Sequence, residues 1–130
     1  METKIRKKIL LIDDEPEVTM VIRSRLEAAD YDVDVAHSGQ EGLRKFNNYH
    51  PDLVVVDIMM EDLTGYEVCT HIKEIDRHCP VILLTSRVKG IDESLGFLSK
   101  ADAYIRKPRS SQLLLPEVKR LLEKRDELQS

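Results

Sequence analysis

Four short apolar runs of this sequence lead into polar residues whose types and spacing suggest chemistry. The residues are Asp13 and Asp14 after the run 9–12, Asp57 after 53–56, Thr85 after 81–84, and Lys107 with Pro108 shortly after 104–105. Continuous apolar runs of this length are typical of strands that are buried on both faces of a parallel sheet. Ligands bind outside the carboxyl ends of the strands in such sheets. The sequence therefore predicts one site that combines three carboxylates, a hydroxyl and an ammonium group.

This combination of charges favours metal-assisted phosphoryl transfer. The carboxylates repel each other and Lys107 neutralises only one of them, which favours a hard divalent cation with oxygen ligands, Mg²⁺. Asp57 is the candidate nucleophile, because carboxylates form covalent aspartyl-phosphate intermediates. The site must also neutralise the charge on three phosphoryl oxygens. Mg²⁺ held by Asp14 and Asp57 would take one of these oxygens. Lys107 would take a second, and Thr85 with a nearby backbone N–H the third.

Each position also has a structural interpretation that involves no ligand. Asp13 and Asp14 can form an acidic helix start that stabilises the helix dipole. Asp57 can cap a turn and Thr85 the segment that follows it, while Lys107 can simply end a strand. We favour a single site, because these alternatives require independent coincidences at the same edge of one sheet.

Length and composition are typical of one globular domain. The chain has 130 residues, of which 42% are hydrophobic and 34% charged. We expect a single domain over 1–130, with its core at about 7–122 and a polar helical tail at about 123–130. The net charge of −4 argues against nucleic acid as a direct partner. The apolar stretch behind the basic start is too short for a signal peptide, and nothing in the sequence suggests a membrane.

The two cysteines, Cys69 and Cys79, are too few for a disulfide framework. Cys69 lies on an apolar helical stripe, and both are expected to be inert, buried thiols. Such thiols fit a reducing, cytoplasmic location.

The predicted strand ends recur at the length of a βα repeat. They fall at 12–14, 36, 57, 85 and 107, so that each interval holds one helix and one strand. The run 31–36 alternates between apolar and polar residues, as expected of an edge strand. We therefore predict an α/β fold of the flavodoxin-like, doubly wound (βα)5 type, with a parallel sheet in the order 2-1-3-4-5.

Three helices carry specific expectations. Helix two should begin with a capping box of Ser38 and Glu41. Helix four should cover roughly 91–99, with Leu95 and Leu98 pointing inward. Pro116 interrupts the first turns of the last helix, for which we expect a late or irregular start.

The sequence resembles the receiver domains of two-component response regulators over essentially all of 7–122. The resemblance rests on the paired acid Asp13-Asp14, on Asp57 with Met60 three and Gly65 eight residues further on, and on Thr85, Tyr104 and Lys107-Pro108. The spacings from Thr85 to Tyr104 and from Tyr104 to Lys107 also follow the family without gaps.

The resemblance implies that Asp57 is phosphorylated by a histidine kinase. It also implies that Asp13, Asp14, Asp57 and the backbone carbonyl of Met59 serve Mg²⁺. The protein would then be a regulator and not an enzyme, apart from its own phosphotransfer and autodephosphorylation.

A conformational switch is a further implication of the resemblance. Thr85 and Lys107 would hold the phosphoryl group, and the peptide before Pro108 would be cis, a conformation essentially confined to proline. The Thr85 hydroxyl would move toward the phosphoryl group while Tyr104 rotates inward, which changes the surface of helix four, strand five and helix five. That surface would bind a downstream protein or an output domain, and a phosphorylation-dependent homodimer is a further option.

Several positions depart from the usual family pattern. Glu61 stands where proline is common, so we expect a less stiff loop after Asp57. Lys100 replaces a frequent glycine. Met59, two residues beyond Asp57, and Arg87 are expected to restrict the attacking water and lengthen the lifetime of the acyl phosphate.

Two other classes of protein compete with this interpretation. A small phosphohydrolase of the haloacid-dehalogenase type would also use an aspartate nucleophile, Mg²⁺, a hydroxyl and a lysine. It would normally place a second aspartate where Met59 stands. A flavodoxin-like cofactor carrier would need a phosphate loop rich in Thr, Ser and Gly after strand one, whereas this chain has Asp13-Asp14-Glu15-Pro16.

Overall fold

The computed structural model describes residues 5–85, 98–107 and 110–129. Its strands are β1 (Lys8–Ile12), β2 (Asp32–Ala36), β3 (Leu53–Asp57), β4 (Val81–Thr85) and β5 (Ala103–Arg106), and its helices are α1 (Pro16–Ala28), α2 (Gly39–Tyr49), α3 (Gly65–Ile75) and α4 (Ser110–Gln129). The strands form one parallel sheet in the order β2-β1-β3-β4-β5. The predicted α/β fold and strand order are confirmed, with the alternating strand β2 at one edge.

Alternate residues of the central strands pack on opposite faces of the sheet, because the side-chain period of a strand is two. In β3, Leu53 and Val55 belong to the hydrophobic cluster that also contains residues of α1 and α4. Val54 and Val56 belong to the second cluster, with residues of α2 and α3. Helices thus cover both faces, which explains why the central strands are continuous apolar runs. This packing fixes the carboxyl ends of β1, β3 and β4 side by side.

The start of α2 differs in one detail from the predicted capping box. The Ser38 hydroxyl accepts a hydrogen bond from the Glu41 N–H at 3.1 Å, as expected. The Glu41 carboxylate, however, accepts from the N–H of His37 at 3.2 Å, one residue before the cap. A reciprocal capping box occurs in α3, between Thr64 and Glu67.

The fourth predicted helix, at 91–99, lies largely outside the described residues. Its described residues, Leu98 and Ser99, are helical. Leu98 is 68% exposed, so the expectation that it points inward is wrong. Ser99 takes the inward position, where its carbonyl accepts a hydrogen bond from the Cys69 thiol at 3.2 Å.

The last helix begins earlier than expected. α4 starts at Ser110 and contains Pro116 in its interior, so the prediction of a late start is wrong. A proline inside a helix removes a backbone hydrogen bond, and the burial of Leu114 and Val118 on either side of it compensates for that loss. No helix within 5–85, 98–107 and 110–129, α4 included, has the length and apolar character needed to cross a membrane.

The polar end of α4 is attached to the amino edge of the sheet. Arg125 donates to the backbone carbonyl and the carboxylate of Asp52 at 2.9 and 3.1 Å. It also pairs with Asp76 at 3.4 Å. Lys7 forms an ion pair with Asp126 at 2.9 Å. These contacts hold the helix end against the loops that precede β3 and β4.

The backbone of Lys100 is in the left-handed region, with φ of 64°. Only glycine adopts this conformation without a steric penalty from Cβ. The conformation accounts for the glycine that is frequent at this position, and it identifies the lysine as a source of local strain.

Both cysteine side chains are fully buried as free thiols, as expected. Burial raises the pKa of Cys69 to about 11 and that of Cys79 to about 12. Neither thiol forms a reactive thiolate near neutral pH.

Candidate functional site

The predicted site residues lie together at the carboxyl edge of the sheet. Asp57 is the last residue of β3 and Thr85 the last residue of β4. Asp13 directly follows β1, and Lys107 directly follows β5. The strand register places Asp57 beside Leu84, one residue before Thr85. Four strand ends therefore contribute to one pocket.

The ammonium group of Lys107 links three carboxylates in this pocket. Its Nζ atom lies 3.0 Å from Oδ2 of Asp13, 2.6 Å from Oε1 of Glu15 and 3.0 Å from Oδ2 of Asp57. An ammonium carries three N–H donors. The Lys107 side chain is only 7% exposed, so these carboxylates replace much of the water that would otherwise solvate it.

The two buried carboxylates are held in an unfavourable environment. Burial raises the pKa of Asp57 to about 6, the charge of Asp13 adds to this rise, and the hydrogen bond from Lys107 opposes it. Burial likewise raises the pKa of Asp13, against hydrogen bonds from the Glu15 N–H and from Lys107 that lower it. Asp57 is consequently ionised at neutral pH yet more basic than a solvated aspartate, which suits a nucleophile.

Lys107 remains cationic in this environment. Burial by itself would lower its pKa, but hydrogen bonds to Glu15, Asp13 and Asp57 outweigh burial and raise the pKa above its ordinary value. The pocket therefore contains a permanent positive charge in contact with the candidate nucleophile.

A cluster of acidic side chains at the same place fits a metal ion. Asp13, Asp14, Glu15 and Asp57 each offer a carboxylate oxygen, and these oxygens all lie within 4.8 Å of one another. Lys107 brings a single positive charge to this group of four carboxylates. An all-oxygen set of ligands with surplus negative charge suits a hard divalent cation such as Mg²⁺.

Backbone contacts hold the loop after β3 against Asp57. The Met59 N–H donates to Oδ1 of Asp57 at 3.3 Å, and the Gly65 N–H donates to the carbonyl of Ile58 at 2.8 Å. A Cβ atom at Gly65 would lie 2.6 Å from the carbonyl oxygen of Asp57, so glycine is required at this close approach. The peptide of Met59 is thereby placed at the pocket, and its side chain is 49% exposed.

The two predicted switch residues differ in exposure. Thr85 is buried, at 1% exposure, whereas Tyr104 is 37% exposed on β5. Burial and the neighbouring Tyr66 and Cys69 raise the pKa of Tyr104, and a hydrogen bond with Ser99 opposes this rise. The ring of Tyr104 thus lies in a half-exposed position against α3 and the segment 98–99.

The structure extends the set of predicted site residues in two places. Glu15 contacts Lys107 at 2.6 Å, and its position directly after the paired acids was the signal that could have identified it. Asp62 accepts hydrogen bonds from a helix more than twenty residues away in sequence, which no local pattern indicates. Pro108 with the predicted cis peptide, and Arg87, lie outside the described residues.

Comparison with known proteins identifies the family. Residues 9–119 match the response regulator receiver domain family. The chain belongs to this family. A curated relative, the transcriptional regulatory protein TrcR of Mycobacterium tuberculosis, is 38% identical over 122 residues, which cover 94% of this chain and 48% of TrcR. The receiver chain spans about half the length of the curated relatives it matches.

Solved receiver structures agree with this assignment. The CheY-like receiver domain protein of Methanospirillum hungatei superposes with a TM-score of 0.89 at 28% identity, and the match covers 95% of this chain and 98% of that one. The response regulator TrrA of Thermotoga maritima, in complex with Mg²⁺ and BeF, gives a TM-score of 0.81 at 33% identity over 88% of this chain and 98% of that one. The chain is a receiver domain of a two-component response regulator, a regulatory module and not an enzyme in the ordinary sense. The haloacid-dehalogenase alternative is not favoured.

Proposed function

We propose that this receiver accepts a phosphoryl group on Asp57 from the phosphohistidine of a histidine kinase, in the presence of Mg²⁺. The observation that carries the proposal is the contact of Lys107 with the buried Asp57 carboxylate at 3.0 Å. It joins a basic, desolvated nucleophile to a permanent positive charge at the end of one parallel sheet.

The transfer forms one bond and breaks one. A carboxylate oxygen of Asp57 attacks the phosphorus atom, and the bond between phosphorus and the histidine nitrogen breaks. The electron pair leaves with the imidazole, and an acyl phosphate forms on Asp57. Lys107 stabilises the charge on a phosphoryl oxygen, and the Thr85 hydroxyl at the end of the neighbouring strand is placed to take another. In autodephosphorylation, a water oxygen attacks the phosphorus atom, the bond between phosphorus and the Asp57 oxygen breaks, and inorganic phosphate leaves the regenerated carboxylate.

Mg²⁺ would be held by Asp13, Asp14, Asp57 and the backbone carbonyl of Met59. The cluster of carboxylate oxygens within 4.8 Å supports this choice, as does the Mg²⁺–BeF complex of the related TrrA. When bound, the ion supplies positive charge to the transferring phosphoryl group. Lys107 alone balances only one of the carboxylates, so the pocket has a physical need for the ion.

The output surface would be the face formed by the segment 98–99, which belongs to the predicted fourth helix, together with β5 and the last helix, α4. Each of these three parts carries a large exposed hydrophobic side chain: Leu98, Tyr104 and Leu113 are exposed by 68%, 37% and 48%. Movement of Thr85 toward the phosphoryl group and inward rotation of Tyr104 would change the shape of the face. The modification can shift this equilibrium only by its differential stabilisation of the active form.

The partners follow from this role. A histidine kinase donates the phosphoryl group, and a downstream protein or an output domain responds, with phosphorylation-dependent homodimerisation as one mode. TrcR is a transcriptional regulatory protein, which supports an output in transcription. Residues 1–130 would act as a single receiver unit, in the cytoplasm where kinases of this type present their phosphohistidine.

Beryllofluoride provides a direct test. With Mg²⁺ present, adding beryllofluoride should shift the amide NMR signals of Asp57, Thr85 and Tyr104 together. Asp57→Asn should abolish the shifts, and omitting Mg²⁺ should do the same. Shifts that persist in Asp57→Asn would contradict the assignment of the phosphoryl site.

A further inference from the structure

The loop that joins β3 to α3 is fastened to the first turn of α2. The Asp62 carboxylate accepts from the Gly39 N–H at 3.0 Å through Oδ1 and from the Gln40 N–H at 2.9 Å through Oδ2. The next N–H of the helix, that of Glu41, is taken by the Ser38 hydroxyl. The first backbone N–H groups of an α-helix have no partner within the helix. In α2, one of these groups donates to the local cap Ser38, and two donate to the carboxylate of the distant loop residue Asp62.

A second contact joins the same two elements. A Cβ atom at Gly39 would lie 2.7 Å from the Cβ of Leu63, so the helix backbone and the loop approach more closely than any other residue type allows. The pKa of Asp62 agrees with this attachment: burial raises it, but hydrogen bonds from the N–H groups of Gln40, Gly39, Leu63 and Asp62 itself together outweigh burial and lower the pKa below its ordinary value.

The fastened loop is the one that carries the Met59 peptide. Its other end is fixed at Asp57, whose carboxylate accepts from the Met59 N–H. Between these points the loop includes Glu61 at the position where proline is common, so the stiffness of this loop does not come from a proline ring.

We infer that Asp62 is a positioning residue for the metal site. By binding the amino end of α2, Asp62 holds the loop 58–64 in place, and with it the Met59 carbonyl. This inference rests on the proposed use of the Met59 carbonyl as a ligand. Asp62 itself does not belong to the cluster of carboxylates found among the described residues. Groups that orient metal ligands typically change metal affinity by about 10–100-fold when they are removed, so Asp62→Ala should weaken Mg²⁺ binding by about tenfold.

The matched control is Ser38→Ala. It removes the other cap of the same helix terminus and leaves the loop contacts of Asp62 intact. Loss of helix stability alone would affect both variants alike, whereas positioning of the loop predicts weaker Mg²⁺ binding only in Asp62→Ala. Gly39→Ala gives an independent test, because it strengthens the intrinsic helix propensity but pushes the loop away through Leu63. It should also weaken Mg²⁺ binding.

The experiment is a calorimetric Mg²⁺ titration of the wild type, Asp62→Ala, Asp62→Asn, Ser38→Ala and Gly39→Ala, well below their unfolding temperatures. We expect wild-type affinity in Ser38→Ala, the largest loss in Asp62→Ala, and a smaller loss in Asp62→Asn, which retains one acceptor oxygen. Equal affinity of Asp62→Ala and the wild type, or equal losses in Asp62→Ala and Ser38→Ala, would overturn the inference. Absence of Mg²⁺ binding in the wild type would instead overturn the proposed function.

Discussion

The Nζ atom of Lys107 lies 3.0 Å from Oδ2 of Asp57, and both side chains are almost completely buried. The lysine follows the last strand of the sheet and the aspartate ends the third, so the contact bridges fifty residues of sequence. This pair places a permanent cation against a carboxylate that burial has made unusually basic.

Without metal and at neutral pH, the wild-type protein should be less stable than the Asp57→Asn variant. The folded-state pKa is raised to about 6 from 3.8, so the folded state binds this proton more tightly than the unfolded state does. The contribution of the protonated Asp57 carboxyl to the free energy of unfolding is therefore complete below about pH 4 and is lost as the pH rises through about 6. At pH 7, Asp57→Asn should have the larger free energy of unfolding, by roughly 2–3 kcal/mol.

Urea unfolding in the presence of a chelator, at several pH values between 4 and 7, measures this difference. The gap between Asp57→Asn and the wild type should grow with pH and level off above pH 6. A gap that does not change with pH would show that burial does not perturb Asp57.

Glu15→Gln should accelerate phosphorylation of Asp57 by a small anionic phosphodonor. The Oε1 atom of Glu15 lies 2.6 Å from the Nζ atom of Lys107, and the negative charge of Glu15 repels an incoming anion. Because the Glu15 side chain is 54% exposed, solvent screens its interaction with Lys107 to about 1 kcal/mol at most, and we expect an increase in rate of up to about fivefold. Glu17→Gln is the control. Glu17 is an exposed acid in the first turn of α1 with no described contact to Lys107, so its substitution removes the same charge close to the site and leaves the contact between Glu15 and Lys107 in place. Equal acceleration by both variants would assign the effect to net charge alone.

Met59→Asn should shorten the lifetime of the acyl phosphate. The Met59 side chain is 49% exposed beside the pocket, where its bulk and apolar character restrict an attacking water. A shorter amide side chain opens the approach and can hydrogen-bond that water. Loss of label from the purified phosphoprotein gives the rate, and Met20→Asn, on an exposed position of α1, is the matched control. An unchanged rate in Met59→Asn would contradict a shielding role.

Lys100→Gly should stabilise the protein. The left-handed conformation at Lys100 costs a non-glycine residue about 1–2 kcal/mol, part of which the greater freedom of glycine in the unfolded chain cancels. We expect a net gain of about 0.5–1 kcal/mol in the free energy of unfolding. Asp30→Gly, at a φ of 70°, should gain less, because aspartate tolerates this region better. A loss of stability in Lys100→Gly would mean that the lysine side chain makes a compensating contact.

The elements that position the site could be predicted because their cause is local in sequence. Continuous apolar runs such as 53–56 become strands buried on both faces, and the polar residue after each run must then lie at the carboxyl edge. Asp13, Asp57, Thr85 and Lys107 occupy those positions. Strand order followed from the alternating pattern of a single strand, β2.

The remaining features depend on contacts between distant segments, which no periodicity reveals. Asp62 is an ordinary loop acid in the sequence, and its partners at the start of α2 are known only from the fold. Leu98 was expected inward because it is apolar, but Ser99 has the better position against Cys69. Pro116 suggested a broken helix start, and the burial of Leu114 and Val118 outweighs the hydrogen bond that the proline removes.

The most direct test of the central claim is to map the phosphorylated residue. The protein is incubated with Mg²⁺ and a small-molecule phosphodonor, and its intact mass is measured before the modified peptide is identified. We expect one phosphoryl group per chain, on Asp57, with none in Asp57→Asn and none when Mg²⁺ is chelated. Modification at another residue, or sustained release of phosphate from a generic phosphomonoester, would contradict the account.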